Sequence, residues 1–325
     1  MRKLILNGLK FIGSAFIVYL IIFAVLFIIA PGGIPMIYRT SPGNVWEGGG
    51  TYVKFREFNP AEKWDVVILG SSHAYRGYDP RIFDAHGLKT FNLGTSDQNM
   101  MCSYYIARNY LNRNNCKMVI LDMYDRVFTQ QNIESTSDVV HNITSDKAAF
   151  QVVMSSRDLR GLNMFTLRMF NKMRDPLNTD TTGFVQGFFP TETFLTLPAK
   201  KRVVWKYQTN DFQVKYLHKL LTYLQSEGIR VIMAEHPMPG IFTPVDHHLF
   251  VADVRKIADQ YQVPFFDYMT DSTMTGINYF ADETHLNVNG VKVYNEKLLR
   301  DLSGHGLLPD SGVALSGFVK SNVNE

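Results

Sequence analysis

Two short stretches, more than two hundred residues apart, carry side chains that could do covalent chemistry together. The first is Ile68-Leu69-Gly70-Ser71-Ser72-His73. A buried strand that ends at Leu69 and turns through Gly70 presents the Ser72 Oγ at the carboxyl edge of a sheet, where open α/β sheets bind ligands. The second is Tyr279 to Gly290, in which Asp282 and His285 stand three apart. In a helical turn that spacing lets both side chains face one way. A carboxylate can then accept from the imidazole Nδ1, which leaves Nε2 to take a proton from a serine hydroxyl. Ser72, Asp282 and His285 are therefore the candidate catalytic residues, and the chemistry they suit is two-step acyl transfer. The plainer readings are a Gly-Ser-Ser turn that caps a helix, and an Asp cap beside a surface His. His73 is given no role as a base, because adjacency in sequence does not bring its ring to the Ser72 Oγ.

The elements that must position these groups alternate along the chain. Val66–Leu69, Thr90–Leu93, Met118–Asp122, Ile229–Ala234 and Val263–Asp267 are short apolar runs of the kind expected for strands buried on both faces. Between them, Asp79-Pro80 opens a short helix that Gly87 closes, and residues 97–112 predict a second. Leu217, Leu220, Leu221 and Leu224 share one face of a helix over Phe212–Ser226 that Gly228 ends. Phe250, Val254, Ile257, Ala258 and Tyr261 mark another, and Val291, Leu298 and Leu302 a last one. Repeated strand–helix–strand units imply an α/β fold, a mostly parallel sheet covered by helices on both faces. The stretch of about 127–205 breaks this rhythm and is read as an insertion. Helices are predicted in it near Lys147–Ser155 and Asn163–Met173, followed by a loop around Phe184–Pro190.

The N-terminus sets the expected location. Arg2, Lys3 and Lys10 precede a run without a charged residue from Phe11 to Tyr38. Its apolar heart, Phe16 to Ala30, supplies with the flanking residues the roughly 20 needed to cross a bilayer. A cleaved signal peptide would have a shorter apolar region and a better site than Ile28 and Ala30 offer. Cations concentrated before the span predict a cytoplasmic N-terminus and an extracytoplasmic remainder in a single-pass protein. The expected organisation is an anchor at 1–31, a linker at 32–63, the main domain at 64–303 and a polar tail at 304–325.

Composition narrows the classes further. The chain has 325 residues and a formal charge of +3 from 33 Lys+Arg and 30 Asp+Glu, with no long basic run, so nucleic acid is not an expected partner. Two cysteines make neither a disulfide scaffold nor a zinc site. Cys102 and Cys116 fall near opposite ends of one predicted helix, too far apart to pair. Glu235-His236 is not a His-Glu-x-x-His motif, and His247 and His248 would diverge on a helix. No Gly-rich phosphate loop is present, and no metal or cofactor is expected. Asn142-Ile143-Thr144 fits a glycosylation acceptor.

In the order of its motifs, the chain resembles the SGNH/GDSL hydrolase superfamily over about Trp64 to Leu302. In that family the nucleophile lies in a Gly-Asp-Ser block after the first strand, and Gly70-Ser71-Ser72 occupies that place. The family's Asp-x-x-His matches Asp282-Glu283-Thr284-His285. Its second-block Gly, whose N–H binds the oxyanion, matches Gly94 in Asn92-Leu93-Gly94-Thr95-Ser96, and the Ser72 N–H would be a further donor. The third block departs: where the family has Gly-x-Asn-Asp, this chain reads Leu121-Asp122-Met123-Tyr124-Asp125. An ionised carboxylate cannot donate as the missing Asn does, and losing one oxyanion donor can cost about 10²–10³ in rate. Asn99 is a candidate replacement on which the reading does not rest.

The resemblance implies a flavodoxin-like three-layer sandwich behind one transmembrane helix. It also implies a serine esterase or O-acyltransferase acting on an exported or cell-surface glycan. The Gly-Ser-Ser block behind a single span is similar to proteins of D-alanylation and polysaccharide O-acetylation. The implied partners are an acylated glycan or acyl donor, membrane lipid through the N-terminal helix, and a membrane-bound acyltransferase. The alternative is a non-catalytic module of the same fold that binds a glycan or such a membrane partner.

Overall fold

A computed structural model describes residues 1–33, 35–38, 50–129, 133–170, 183–196, 206–242 and 244–309. Residues 34 and 39–49 of the predicted linker, the end of the second insertion helix and most of the polar tail lie outside these residues.

The first two α-helices among the described residues are α1 (Arg2–Ile28) and α2 (Thr51–Glu57). The sheet then starts: β1 (Trp64–Leu69), α3 (Ser72–Gly77), α4 (Pro80–Ala85), β2 (Thr90–Asn92), α5 (Met100–Tyr110) and β3 (Cys116–Asp122). Among the described residues, four helices lie in or at the start of the region read as an insertion: α6 (Asp125–Thr129), α7 (Ile133–Asn142), α8 (Asp146–Ser156) and α9 (Leu159–Phe170). The alternation resumes with α10 (Asp211–Ser226), β4 (Arg230–Glu235), α11 (His247–Tyr261), β5 (Phe265–Asp267) and α12 (Val288–Gly304). All five strands run parallel in the order β2-β1-β3-β4-β5.

A strand's side chains alternate between faces, and here both faces are apolar. Val67, Leu69, Val119, Leu121, Val231 and Met233 point into one core with α5, α10 and α11. Their neighbours Val66, Ile68, Met118, Ile120, Ile232 and Ala234 point into the other with α4 and α12. This explains why the strands read as unbroken apolar runs. The caps follow the expected chemistry: Asp79 accepts from the Arg81 N–H with Pro80 at the first helical position, and Asn287 accepts from the Asn289 and Gly290 N–H groups.

Three local expectations change. Residues 51–57 are helical and seat Phe55 (1% exposed) and Lys54 (0%) in the domain, so its packing begins before Trp64. The insertion contains α7, whose polar sequence hides its burial: Ser135, Asp138 and Asn142 are all enclosed. Asn142 is fully buried and its Nδ2 donates to the Asp138 carbonyl and carboxylate, so this fold does not offer it as a glycosylation acceptor. Cys102 and Cys116 are unpaired and buried, and burial pushes both thiols up to about 12.

The insertion is tied together by Arg168 of α9, which is 6% exposed. Its guanidinium pairs with Asp146 at 2.8 Å and donates to the carbonyls of Val140, His141 and Thr144, satisfying the end of α7. Arg168→Met is expected to lower the unfolding free energy by about 3 kcal/mol, because buried carbonyls and one carboxylate lose their donor. Arg160→Met, which removes only an exposed pair with Asp158, is expected to cost less than about 1 kcal/mol. Urea denaturation of the two variants side by side measures the difference.

Candidate active site

The chain turns sharply after β1 because nothing but glycine fits there. A Cβ on Gly70 would stand 2.6 Å from the Asp122 Cβ and 2.9 Å from the Ala74 Cβ. Ser71 then caps α3 by accepting from the His73 N–H at 3.3 Å, and Ser72 becomes the first helical residue with a partly exposed side chain. The second segment is a turn rather than the helical one expected from the spacing. Asp282 Oδ1 accepts from the N–H groups of Thr284 and His285, both at 2.9 Å, which curls the chain around the carboxylate. Asn287 braces the return: its Nδ2 donates to the carbonyls of Asn278 and Phe280 while its Oδ1 caps α12. Gly290 lies so close beneath that a Cβ would be 2.1 Å from the Tyr279 carbonyl oxygen.

The fold brings the three predicted residues together. His285 Nε2 lies 2.8 Å from Ser72 Oγ, and His285 Nδ1 lies 2.8 Å and 3.0 Å from the two Asp282 oxygens. Burial would raise the Asp282 carboxyl, but the hydrogen bond and charge of His285 and the N–H groups of Thr284 and His285 outweigh it. They hold the group well below the usual carboxylate range. An ionised Asp282 fixes the tautomer in which Nε2 faces Ser72 as an acceptor.

The expected oxyanion donors divide. The Ser72 N–H has no hydrogen-bond acceptor among the described residues, so it is available. The Gly94 N–H is not, because it donates to Asn92 Oδ1 at 3.0 Å. Asn92 is locked in that orientation by donating from Nδ2 to the carbonyls of Ala74 and Tyr78. Asn99 uses its Oδ1 to cap α5, accepting from the Cys102 N–H at 2.9 Å, while its buried Nδ2 has no partner among the described residues. At the third-block position, Asp122 lies under Gly70 and accepts from the Tyr78 hydroxyl at 3.0 Å. Burial pushes its carboxyl well above the ordinary range, towards the protonated form.

The sequence reading missed the walls of the site. His73 and His236 are buried, with ring centroids 4.0 Å apart, and the His73 ring meets His285 edge-on at 5.1 Å and Tyr124 at 3.8 Å. Burial, then the neighbouring charges of His236, His285, Arg76 and Arg126, holds His73 well below the usual imidazole range. Burial likewise takes His236 down to about 4. Both rings are therefore neutral near neutral pH. His236 follows directly on β4, and its place at the carboxyl edge of a strand was the signal that could have found it. The loop at 183–196 closes the other side: the Phe189 N–H donates to the Tyr75 carbonyl, Leu195 to Phe280, and Val288 to Thr191. It thus bridges both candidate catalytic segments.

A second polar group lies next along the same edge. Glu235, His247 and Asp267 each offer a ligand atom, all within 4.8 Å of one another. His247 Nε2 is 3.1 Å from Asp267, and burial with the charges of Asp125, Asp267 and Asp122 pushes Glu235 well above its usual range. Both Glu235 carboxyl oxygens and His247 Nδ1 are buried without a hydrogen-bond partner among the described residues. His248 is exposed, so the two adjacent histidines do diverge.

Lys54 buttresses the site from below. Its Nζ donates to the Gly94 carbonyl and lies 4.8 Å from the Tyr75 ring centre. Burial, partly offset by Asp138, lowers it to about 7. Between that value and the ordinary 10.5 the unfolded chain binds more protons, so the penalty for burying this amine is full below pH 7 and fades as pH rises. The urea midpoint of the native chain should therefore rise relative to that of Lys54→Met between pH 7 and pH 9. A constant gap would contradict the assignment.

No protein-family model matches the chain, and no curated protein matches it either.

Proposed function

We propose that the protein is a serine-dependent acyl-ester hydrolase or O-acyltransferase of SGNH type, held at the membrane by α1 with its domain outside the cytoplasm. The observation that carries this is the continuous relay from Asp282 through His285 to Ser72, with 2.8 Å at both junctions. The strand order β2-β1-β3-β4-β5 supports a flavodoxin-like arrangement, in which such a site lies at the carboxyl ends of the strands. The length of α1, 27 residues, and its apolarity, a mean hydropathy of 2.8 over an 18-residue window, support the anchor.

In the proposed reaction, Ser72 Oγ attacks the ester carbonyl carbon as His285 Nε2 takes its proton. The tetrahedral oxyanion is held by the Ser72 N–H. Collapse breaks the ester C–O bond, and the departing alkoxide takes the proton from His285. The acyl group, now on Ser72, passes to water in a hydrolase or to a sugar hydroxyl in a transferase, with His285 again removing the proton. The substrate class, an acylated exported or surface glycan, follows from the resemblance of the Gly-Ser-Ser block behind a membrane span.

A single readily available backbone donor leaves the oxyanion less well held than in a complete SGNH site, so slow turnover is expected. The competing reading, a binding module of the same fold, rests on that shortfall. A fluorophosphonate probe separates the two, because it reacts with a Ser activated by its neighbours whatever the natural substrate. The native full-length chain should be labelled and Ser72→Ala should not. Hydrolysis of an aryl acetate should fall at least about 10³-fold in Ser72→Ala and in His285→Ala. A folded native chain that takes no label favours the binding module.

A further inference from the structure

We infer that the α8–α9 helix pair is a second membrane-seated element, which dips into the outer leaflet beside α1 and so fixes the height of the site above the bilayer. This rests on α1 crossing a membrane, and goes beyond it.

The first observation is where α1 meets the domain. Tyr19, Phe23 and Leu26 lie on one face of α1 and are its partly buried residues. Phe23 and Leu26 pack on the main core, and the Tyr19 hydroxyl bonds to Asn163 and Thr166 of α9, both at 3.1 Å. Tyr19 is nine residues before the end of α1, about 13 Å along the axis. The last charge on α1 is Lys10, and the 18 residues from Phe11 to Ile28 span about 27 Å, close to the roughly 30 Å thickness of the hydrocarbon. Any placement that buries this segment puts Tyr19 well below its outer surface. The portion of α9 bonded to Tyr19 must then lie at the same level.

The second observation is what these two helices show to their surroundings. Phe150 and Met154 of α8 are 47% and 64% exposed, and Leu159, Met169 and Phe170 of α9 are 81%, 48% and 80% exposed. The rings of Phe150 and Phe165, 5.7 Å apart, join the two helices into one apolar surface. Exposed side chains of this size cost free energy in water but not in lipid. Lys147 and Arg157, exposed at the two ends of α8, suit anionic headgroups at the rim of such a surface. Of the polar side chains of α9, Asn163 and Thr166 are engaged by Tyr19 and Arg168 by Asp146 and the α7 carbonyls, while the exposed Arg160, paired with Asp158 near the start of the helix, belongs with Lys147 and Arg157 at the headgroup rim.

The test places single cysteines in the full-length chain, reconstituted in phosphatidylethanolamine–phosphatidylglycerol nanodiscs, and attaches a nitroxide to each. Met154→Cys, Leu159→Cys and Phe170→Cys report on the proposed surface, Val18→Cys on α1, and Lys256→Cys on a water-facing position of α11. The unsubstituted chain, whose two thiols are buried, serves as the labelling blank. Collision with oxygen relative to a water-soluble nickel chelate should be several-fold higher at the three test positions than at Lys256→Cys, as at Val18→Cys. Lipid-like values at Val18→Cys with water-like values at the test positions would overturn the inference and leave the anchor intact. Water-like values at all of them would overturn both. Shielding of the test positions from both reagents would mean that protein, not lipid, covers this face, and would also overturn it.

Discussion

A parallel sheet whose two faces must both be covered leaves little freedom in how the rest of the chain runs. Each strand needs a crossover to the next, and every crossover starts from the same edge of the sheet. The carboxyl ends of β1, β3, β4 and β5 therefore deliver Ser72, Asp122, His236 and Asp267 to one edge without any local relation among them in sequence. The Asp282–His285 turn reaches the same edge because α12, which follows it, packs its Val291, Leu298 and Leu302 face on the sheet. The burial of apolar side chains on both faces is what brings the ends of a 213-residue separation within a hydrogen bond.

Close approach then converts this convergence into a defined geometry. Gly70 lets β1 pass over Asp122, and Gly290 lets α12 begin directly beneath the Tyr279 carbonyl. Two buried amides do the bracing: Asn92 ties α3 to the strand below it, and Asn287 ties the Asp282–His285 turn to its own helix. Environment also divides the carboxyl groups. Asp122 and Glu235 are enclosed with few partners and are driven towards the neutral form, whereas Asp282 is partly solvated, receives several N–H groups and stays ionised. The carboxyl group thus provides packing at two positions and charge at a third. The two buried imidazoles beside His285 are neutral for the same reason, so only His285 combines a carboxylate partner with access to Ser72.

The insertion serves both ends of the molecule. Its loop at 183–196 is hydrogen-bonded to the segments that flank Ser72 and His285, while α9 is hydrogen-bonded to the membrane-spanning candidate. Between them, α7 is held by Arg168 and packed into the main core. A disturbance of the insertion therefore reaches the Asp282–His285 turn through backbone hydrogen bonds as well as through side-chain packing.

The strands and longer helices were readable because each is an apolar pattern of fixed period, and burial on both faces leaves that pattern unbroken. Ser72, Asp282 and His285 were readable because an acyl-transfer relay needs these residue types and because the turns that carry them need glycine and asparagine at close-packed positions. Helices α2 and α7 were not, since their burial rests on polar residues whose partners lie far away in sequence, such as Asp138 and the Thr51 hydroxyl at 2.7 Å. The same holds for Gly94. Its type and position fit an oxyanion donor, yet only the folded chain shows its N–H taken by Asn92, a choice made by two carbonyls in α3 and at its end. Local pattern determined which elements form and which residues could react. Long-range packing and hydrogen bonding decided which donors remain free, which histidines are neutral and which face of the insertion is left apolar, because those properties belong to neighbours that the sequence does not place side by side.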